Sequence, residues 1–117
     1  MSAFTEAESR YLLSGPGLGR LATVDETGQP RIVPLGWTYN TELGTIDIGG
    51  RNFAATRKYR DVQANPKVAF IVDDVLPPWS PRSVIVHGRA EAIASPEPII
   101  RIHPVRVISW GLDTEPA

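Results

Sequence analysis

The residues best placed to do chemistry lie in the run Gly49-Gly50-Arg51-Asn52-Phe53-Ala54-Ala55-Thr56-Arg57-Lys58-Tyr59-Arg60. Four cations, Arg51, Arg57, Lys58 and Arg60, fall in a segment expected to open a helix directly behind the glycine pair. A helix N-terminus offers unpaired N–H groups and the positive end of its dipole, so it suits a phosphate. A threonine hydroxyl, a guanidinium fork and an ammonium at Thr56, Arg57 and Lys58 strengthen that bias. The same charges also fit a plain solvated helix face. Arg57 and Asp61 have the i,i+4 spacing of an ordinary surface pair, worth about 0.2–0.5 kcal/mol.

Other candidate groups are sparse. The chain has no cysteine, which excludes disulfides, thiolate metal sites and cysteine nucleophiles. Its two histidines, His87 and His103, are too few for a histidine-rich metal site. His87 reads either as a proton donor or as a hydrogen-bonded histidine at a barrel rim. Asp73-Asp74 are adjacent on a strand, so their carboxylates point to opposite faces and suit a turn better than a metal. Trp37 and Trp110 read as core residues on strands. Trp79, in a proline-rich loop, reads as an interface or ligand contact.

The elements that must position these groups follow from period and punctuation. Thr5 and Glu8 have capping-box spacing for a short helix ended by Ser14-Gly15-Pro16-Gly17. Strands are expected at 20–24, at 30–39 and at 45–48, the last two joined by a hairpin. The cationic helix follows and stops at Asn65-Pro66. A fourth strand runs from Lys67 to Asp73 and a proline-stiffened loop covers 75–82. The fifth strand, 83–93, alternates Val84, Val86, Gly88, Ala90 and Ala92 on one face with Ile85, His87, Arg89, Glu91 and Ile93 on the other. Its small residues fit a tightly curved strand. A final strand or pair covers 99–102 and 105–110, and 113–117 reads as a frayed tail. The whole is a mainly β, antiparallel barrel with accessory helices.

With 117 residues the chain is expected to be a single domain, 1–117. A net charge of −1 argues against nucleic acid or an anionic membrane as partner. An oligonucleotide-binding barrel would need a basic and aromatic stripe that is missing. No signal peptide and no membrane span is readable, so a cytoplasmic location is expected.

Three segments together resemble the pyridoxamine 5′-phosphate oxidase-like flavin-binding split-barrel superfamily. They are Gly19-Arg20-Leu21-Ala22-Thr23-Val24 with Gly28-Gln29-Pro30-Arg31-Ile32-Val33-Pro34-Leu35; Thr56-Arg57-Lys58-Tyr59-Arg60-Asp61-Val62 closing on Asn65-Pro66-Lys67-Val68-Ala69; and Val86-His87-Gly88-Arg89-Ala90 with 100–111. The segments Asp47-Ile48-Gly49-Gly50-Arg51-Asn52 and Ser109-Trp110-Gly111-Leu112-Asp113 resemble the short branch that uses the deazaflavin coenzyme F420.

The resemblance implies a six-stranded antiparallel split β-barrel that forms a homodimer, with cofactor clefts at the subunit interface. It implies that Arg31, Val33, Pro34, Leu35 and Gly36 lie along the cofactor ring, with Gly36 standing where the oxidases carry a lysine. Pro34 cannot donate to a ladder, which frees neighbouring main-chain groups for a ligand. Thr56, Arg57 and Lys58 match the phosphate grip, with Gly49 and Gly50 leading into it. Arg101 and His103 resemble a substrate-binding Arg-x-His, and with His87 they are the substrate candidates. Trp79 and Arg106 are further cofactor candidates, although Val105 stands where a direct match would need the cation. The implied activity is an oxidoreductase that passes a hydride from reduced F420 to a small unsaturated acceptor. An FMN-dependent enzyme of the same fold, or a non-enzymatic flavin- or haem-binding protein, are the alternatives.

Overall fold

The computed structural model describes residues 2–112. Helix α1, Glu6–Leu13, opens with the capping box: Thr5 Oγ1 accepts from the Glu8 amide at 3.1 Å, and Glu8 Oε1 accepts from the Thr5 amide at 2.8 Å. Glu8 is itself buried, and its second carboxylate oxygen accepts from the Ser109 hydroxyl. The carboxylate that caps the helix therefore also ties it to the last strand. Tyr11 and Leu12 are the buried apolar residues of this helix.

The strands are β1 (Gly19–Val24), β2 (Pro30–Leu35), β3 (Thr38–Asn40), β4 (Thr45–Gly49), β5 (Lys67–Leu76), β6 (Ser80–Ile93) and β7 (Ile99–Trp110). They form one curled antiparallel sheet in the order β2-β1-β5-β6-β7-β4-β3. Leu21, Phe70, Val72, Val84, Val86, Ile46, Ile48, Ile100 and Ile102 cover its inner face and are almost completely buried. Alternation along β6 follows the expected pattern, with Val84, Val86, Gly88 and Ala90 buried and His87, Arg89 and Glu91 exposed. At Gly88 the backbone of β7 approaches β6 too closely for a side chain. A Cβ there would lie 2.7 Å from the His103 carbonyl oxygen and 2.8 Å from Ile102 Cγ2. The β6–β7 register shifts at this point, from His87 opposite Arg106 to Gly88 opposite Pro104, which leaves Val105 as the extra residue of a bulge. Pro104, which has no N–H, sits in this irregularity.

Four expectations need correction. There are seven strands rather than six, because the 30–39 run breaks at Gly36-Trp37. Its halves pair with different partners, β2 with β1 and β3 with β4, and so lie at opposite edges of the sheet. The 75–82 loop shrinks to a turn at 77–79, because Asp74 pairs with Arg82 and Leu76 with Ser80 across the ladder. Asp73 and Asp74 consequently lie in a strand rather than a turn. Arg82 donates to both Asp74 oxygens, at 2.9 and 2.6 Å, while Asp73 meets Arg20 at 3.1 Å. The last strand is one continuous element.

The fourth correction concerns the cationic helix. Asn52 adopts a left-handed conformation, φ 50°, which prevents one continuous helix from Gly50. A 3-10 turn, Phe53–Ala55, follows, and helix α2 begins only at Arg57 and runs to Ala64. The glycine pair therefore ends β4 and does not open α2. The expected tail at 113–117 lies outside the described residues. Among the described residues no helix is long and apolar enough to cross a membrane.

Candidate functional site

Helix α2 is fixed at both ends before it presents any charge. Thr56 caps it, accepting from the Tyr59 amide at 3.4 Å, and its hydroxyl donates to the Phe53 carbonyl at 2.7 Å. Tyr59 is buried against Phe53, and its hydroxyl donates to the Ile93 carbonyl at 3.0 Å. Val62 is buried on the same side. This anchoring leaves Arg57 and Lys58 in the first turn, facing β2. Lys58 Nζ stands 5.2 Å from the centre of the Phe53 ring.

On β2 alternate residues turn inward. Arg31, Val33 and Leu35 are half-buried, whereas Ile32 and Pro34 are exposed. Between β2 and α2 lies a cavity of about 230 Å³. Arg31, Arg57 and Lys58 supply its cations, Leu21, Ile32 and Val33 its apolar wall, and Thr23 and Asp61 complete it. Three cations from two elements thus converge on a largely apolar recess.

Asp61 is the site residue that sequence reasoning missed. It does not pair with Arg57 on the helix surface. It is 3 % exposed, accepts from the Thr23 hydroxyl at 2.9 Å, and lies 3.2 Å from Arg31 Nε. Asp25 also approaches Arg31, at 3.3 Å from its NH2. The hydrogen bond from the Thr27 hydroxyl, followed by that from the Gln29 amide, holds the Asp25 carboxyl below the usual carboxylate range. No local signal marks Asp61 as inward-facing, because its partners lie on β1 and β2.

The remaining candidates lie elsewhere. Gly36, Gly49 and Gly50 line a second, shallower concavity of about 470 Å³, together with Trp37, Asp47 and Glu97. Pro34 and Leu35 lie on β2 opposite Arg20 and Gly19. Because β2 is an edge strand, one row of its backbone groups is left without a sheet partner. Arg101 forms two hydrogen bonds with Asp47, at 3.1 and 3.0 Å. Burial pushes the Asp47 carboxyl up, but hydrogen bonds from Arg101, Asn40 and Thr45 together prevail and hold it below the usual range. His103 meets Glu91 at 2.9 Å on the exposed face, and His87 lies exposed opposite Arg106. Trp79 is 75 % exposed at the β5–β6 turn. Trp37 packs edge-on against Phe70 and donates to the Gly17 carbonyl at 2.8 Å, as a residue bordering the core should. Trp110 is 54 % exposed and is not a core residue. No cluster of three or more metal-ligating side chains occurs among the described residues.

A curled antiparallel half-barrel with a capped cationic helix against one edge strand is the architecture of the split-barrel class. The family model of pyridoxamine 5′-phosphate oxidase matches residues 5–107. The chain belongs to that family and is an oxidoreductase of its class. A 5a,11a-dehydrotetracycline/5a,11a-dehydrooxytetracycline reductase of Streptomyces rimosus is 41 % identical over 121 residues, covering 94 % of this chain and 84 % of that one. Among solved structures, a conserved hypothetical protein of Mycobacterium tuberculosis superposes with a TM-score of 0.78 at 21 % identity, over 97 % of this chain and 91 % of that one. An F420 reductase superposes with a TM-score of 0.64 at 23 % identity, over 85 % and 94 %.

Proposed function

We propose that this chain is a reductase that uses the deazaflavin coenzyme F420 to reduce a conjugated double bond in a polycyclic, tetracycline-like acceptor. The observation that carries the reading is the convergence of Arg31, Arg57 and Lys58 on one apolar-walled recess. The 41 % identical reductase, whose name specifies dehydrotetracyclines, supports the acceptor class.

The residues fit such a cofactor. Arg57 and Lys58 would hold its phosphate, with the first turn of α2 behind them. The recess is too small for a whole deazaflavin, so the ring would run along the edge of β2, past Val33, Pro34 and Leu35, toward Gly36. Gly49 and Gly50 present no side chain there, which leaves the second concavity open for an acceptor. When bound, the coenzyme supplies a hydride equivalent. The protein binds its phosphate, orients the ring and shields one face. Solvent supplies the proton at the neighbouring carbon, so no general acid is required of the cleft.

The working form is proposed to be a homodimer. Ile71, Ile85 and Ile108 are cross-strand neighbours on the outer face, and the adjoining Ile32 is 69 % exposed. A second copy would cover this surface. Parallel titrations with F420 and FMN, together with sedimentation, test the proposal. Tighter binding of F420 by a stable dimer is expected. Tighter binding of FMN, or a folded monomer at micromolar concentration, would overturn the corresponding part.

A further inference from the structure

A buried carboxylate beside a proposed phosphate site needs a physical reason, because it weakens the hold on any anion. Asp61 is such a group. It is buried, it lines the recess, and it is spent on Thr23 and Arg31 rather than on the nearby helix-surface cation Arg57. Arg31 has its charge opposed by two carboxylates, Asp61 at Nε and Asp25 at NH2. The recess lining sets three cations, Arg31, Arg57 and Lys58, against one carboxylate, Asp61; Asp25, outside the lining, also pairs with Arg31, and the five groups together carry a surplus of one positive charge.

We propose that Asp61 is a specificity-determining residue: by opposing one cation of this trio it matches the recess to a singly charged phosphodiester and disfavours a doubly charged phosphomonoester. The two phosphate chemistries differ in charge, not in shape. A phosphodiester carries one negative charge. A terminal phosphomonoester carries about 1.5 to 2 at neutral pH, with its second proton lost near pH 6. Each extra unit of ligand charge meets the Asp61 carboxylate at short range inside a partly apolar recess, where screening by solvent is reduced. Asp61 lies 3.2 Å from Arg31 Nε, a buried charge contact without a hydrogen bond. F420 carries a phosphodiester and FMN a monoester, so this inference rests on the cofactor reading given above and names the feature that selects within it.

The test titrates wild type, Asp61→Asn and Gly88→Ala with three ligands in phosphate-free buffer. The ligands are FMN, riboflavin and F420 lacking its glutamate tail. In Asp61→Asn the affinity for FMN should rise relative to that for F420 by about five- to tenfold, with riboflavin binding unchanged. Gly88→Ala, which strains the β6–β7 bulge and adds nothing to the recess lining, keeps the carboxylate and should leave the ratio within about twofold of wild type. An unchanged ratio in Asp61→Asn, or an equal shift for riboflavin, would show that Asp61 is merely structural. Wild type alone provides a second arm that does not depend on the variant folding. No histidine lines the recess, so wild-type affinity for FMN should rise as pH falls from about 7.5 to 5.5 and the phosphate takes up its proton. A flat or falling profile, with riboflavin as control, overturns the inference. Failure of wild type to bind any of the three ligands would instead remove the cofactor reading of the cleft, and this inference with it.

Discussion

Arg101 and Asp47 face each other across β7 and β4 in a two-pronged pair, with Nε to Oδ1 at 3.1 Å and NH2 to Oδ2 at 3.0 Å. The pair is mostly shielded from solvent, the side chains being 23 % and 16 % exposed. It staples the last long strand to the short edge hairpin of β3 and β4. The arginine that resembles a substrate-binding residue is thus already committed to a structural partner. Arg101→Gln should lower stability by about 1–3 kcal/mol, because it leaves Asp47 without its main cationic partner. Cofactor affinity should not change. Denaturant melts and titration check both, and a raised KM for the acceptor with unchanged stability would return Arg101 to the substrate site.

The acid limb of stability should carry the signature of the same pair. Asp47 and Asp74 are both held below the usual carboxylate range, Asp74 chiefly by its hydrogen bonds from Arg82. A carboxyl with a folded-state pKa below its unfolded value contributes stability above the unfolded pKa and loses it as pH falls through the folded one. Stability is therefore expected to be level down to about pH 5 and to fall below it. Asp47→Asn should be less stable at neutral pH and should show a shallower acid limb. Melting temperature against pH for the two proteins makes the comparison.

Most of this architecture was legible because period and turn chemistry report local structure directly. The Thr5–Glu8 capping box and the alternation along β6 are examples. The sequence was silent wherever pairing partners decide the outcome. Nothing local tells that Pro30–Leu35 and Thr38–Asn40 belong to opposite edges of the sheet, since both read as strand. Likewise, Pro77-Pro78-Trp79 reads as a long loop until the Asp74–Arg82 ion pair extends the ladder around it. In the site, Arg57 and Lys58 were visible as charge at a helix start. Asp61 was not, because an i,i+4 surface pair with Arg57 is the simplest reading of its position. Its true partners, Thr23 and Arg31, lie on strands distant in sequence.

Gly88 should tolerate no side chain. Its added Cβ would meet the backbone oxygen of His103, not the movable end of a flexible side chain, so relief requires the β6–β7 bulge to open. Gly88→Ala is expected to destabilise by about 1–3 kcal/mol, and Gly88→Val by more. Thermal or denaturant unfolding measures this. A neutral Gly88→Ala would mean that the bulge is softer than its packing implies.

Lys58 should separate binding from folding. Its contact with the Phe53 ring contributes about 0.5–1 kcal/mol, whereas a charge-assisted hydrogen bond to a phosphate contributes roughly 1.5–3 kcal/mol. Lys58→Ala should weaken cofactor binding about tenfold or more while leaving the melting temperature nearly unchanged. The opposite pattern, lost stability with unchanged affinity, would make Lys58 a structural residue and place the phosphate elsewhere.

The central claim is hydride transfer from a reduced deazaflavin to a conjugated acceptor. Reduced F420 carrying deuterium at its hydride position, mixed with the protein and 5a,11a-dehydrotetracycline in ordinary water, tests it most directly. The expected product is two mass units of hydrogen heavier plus the increment of one deuterium, with that deuterium at carbon and oxidised coenzyme formed in equal amount. A reduced product without deuterium, or turnover supported by reduced FMN and not by reduced F420, would contradict it.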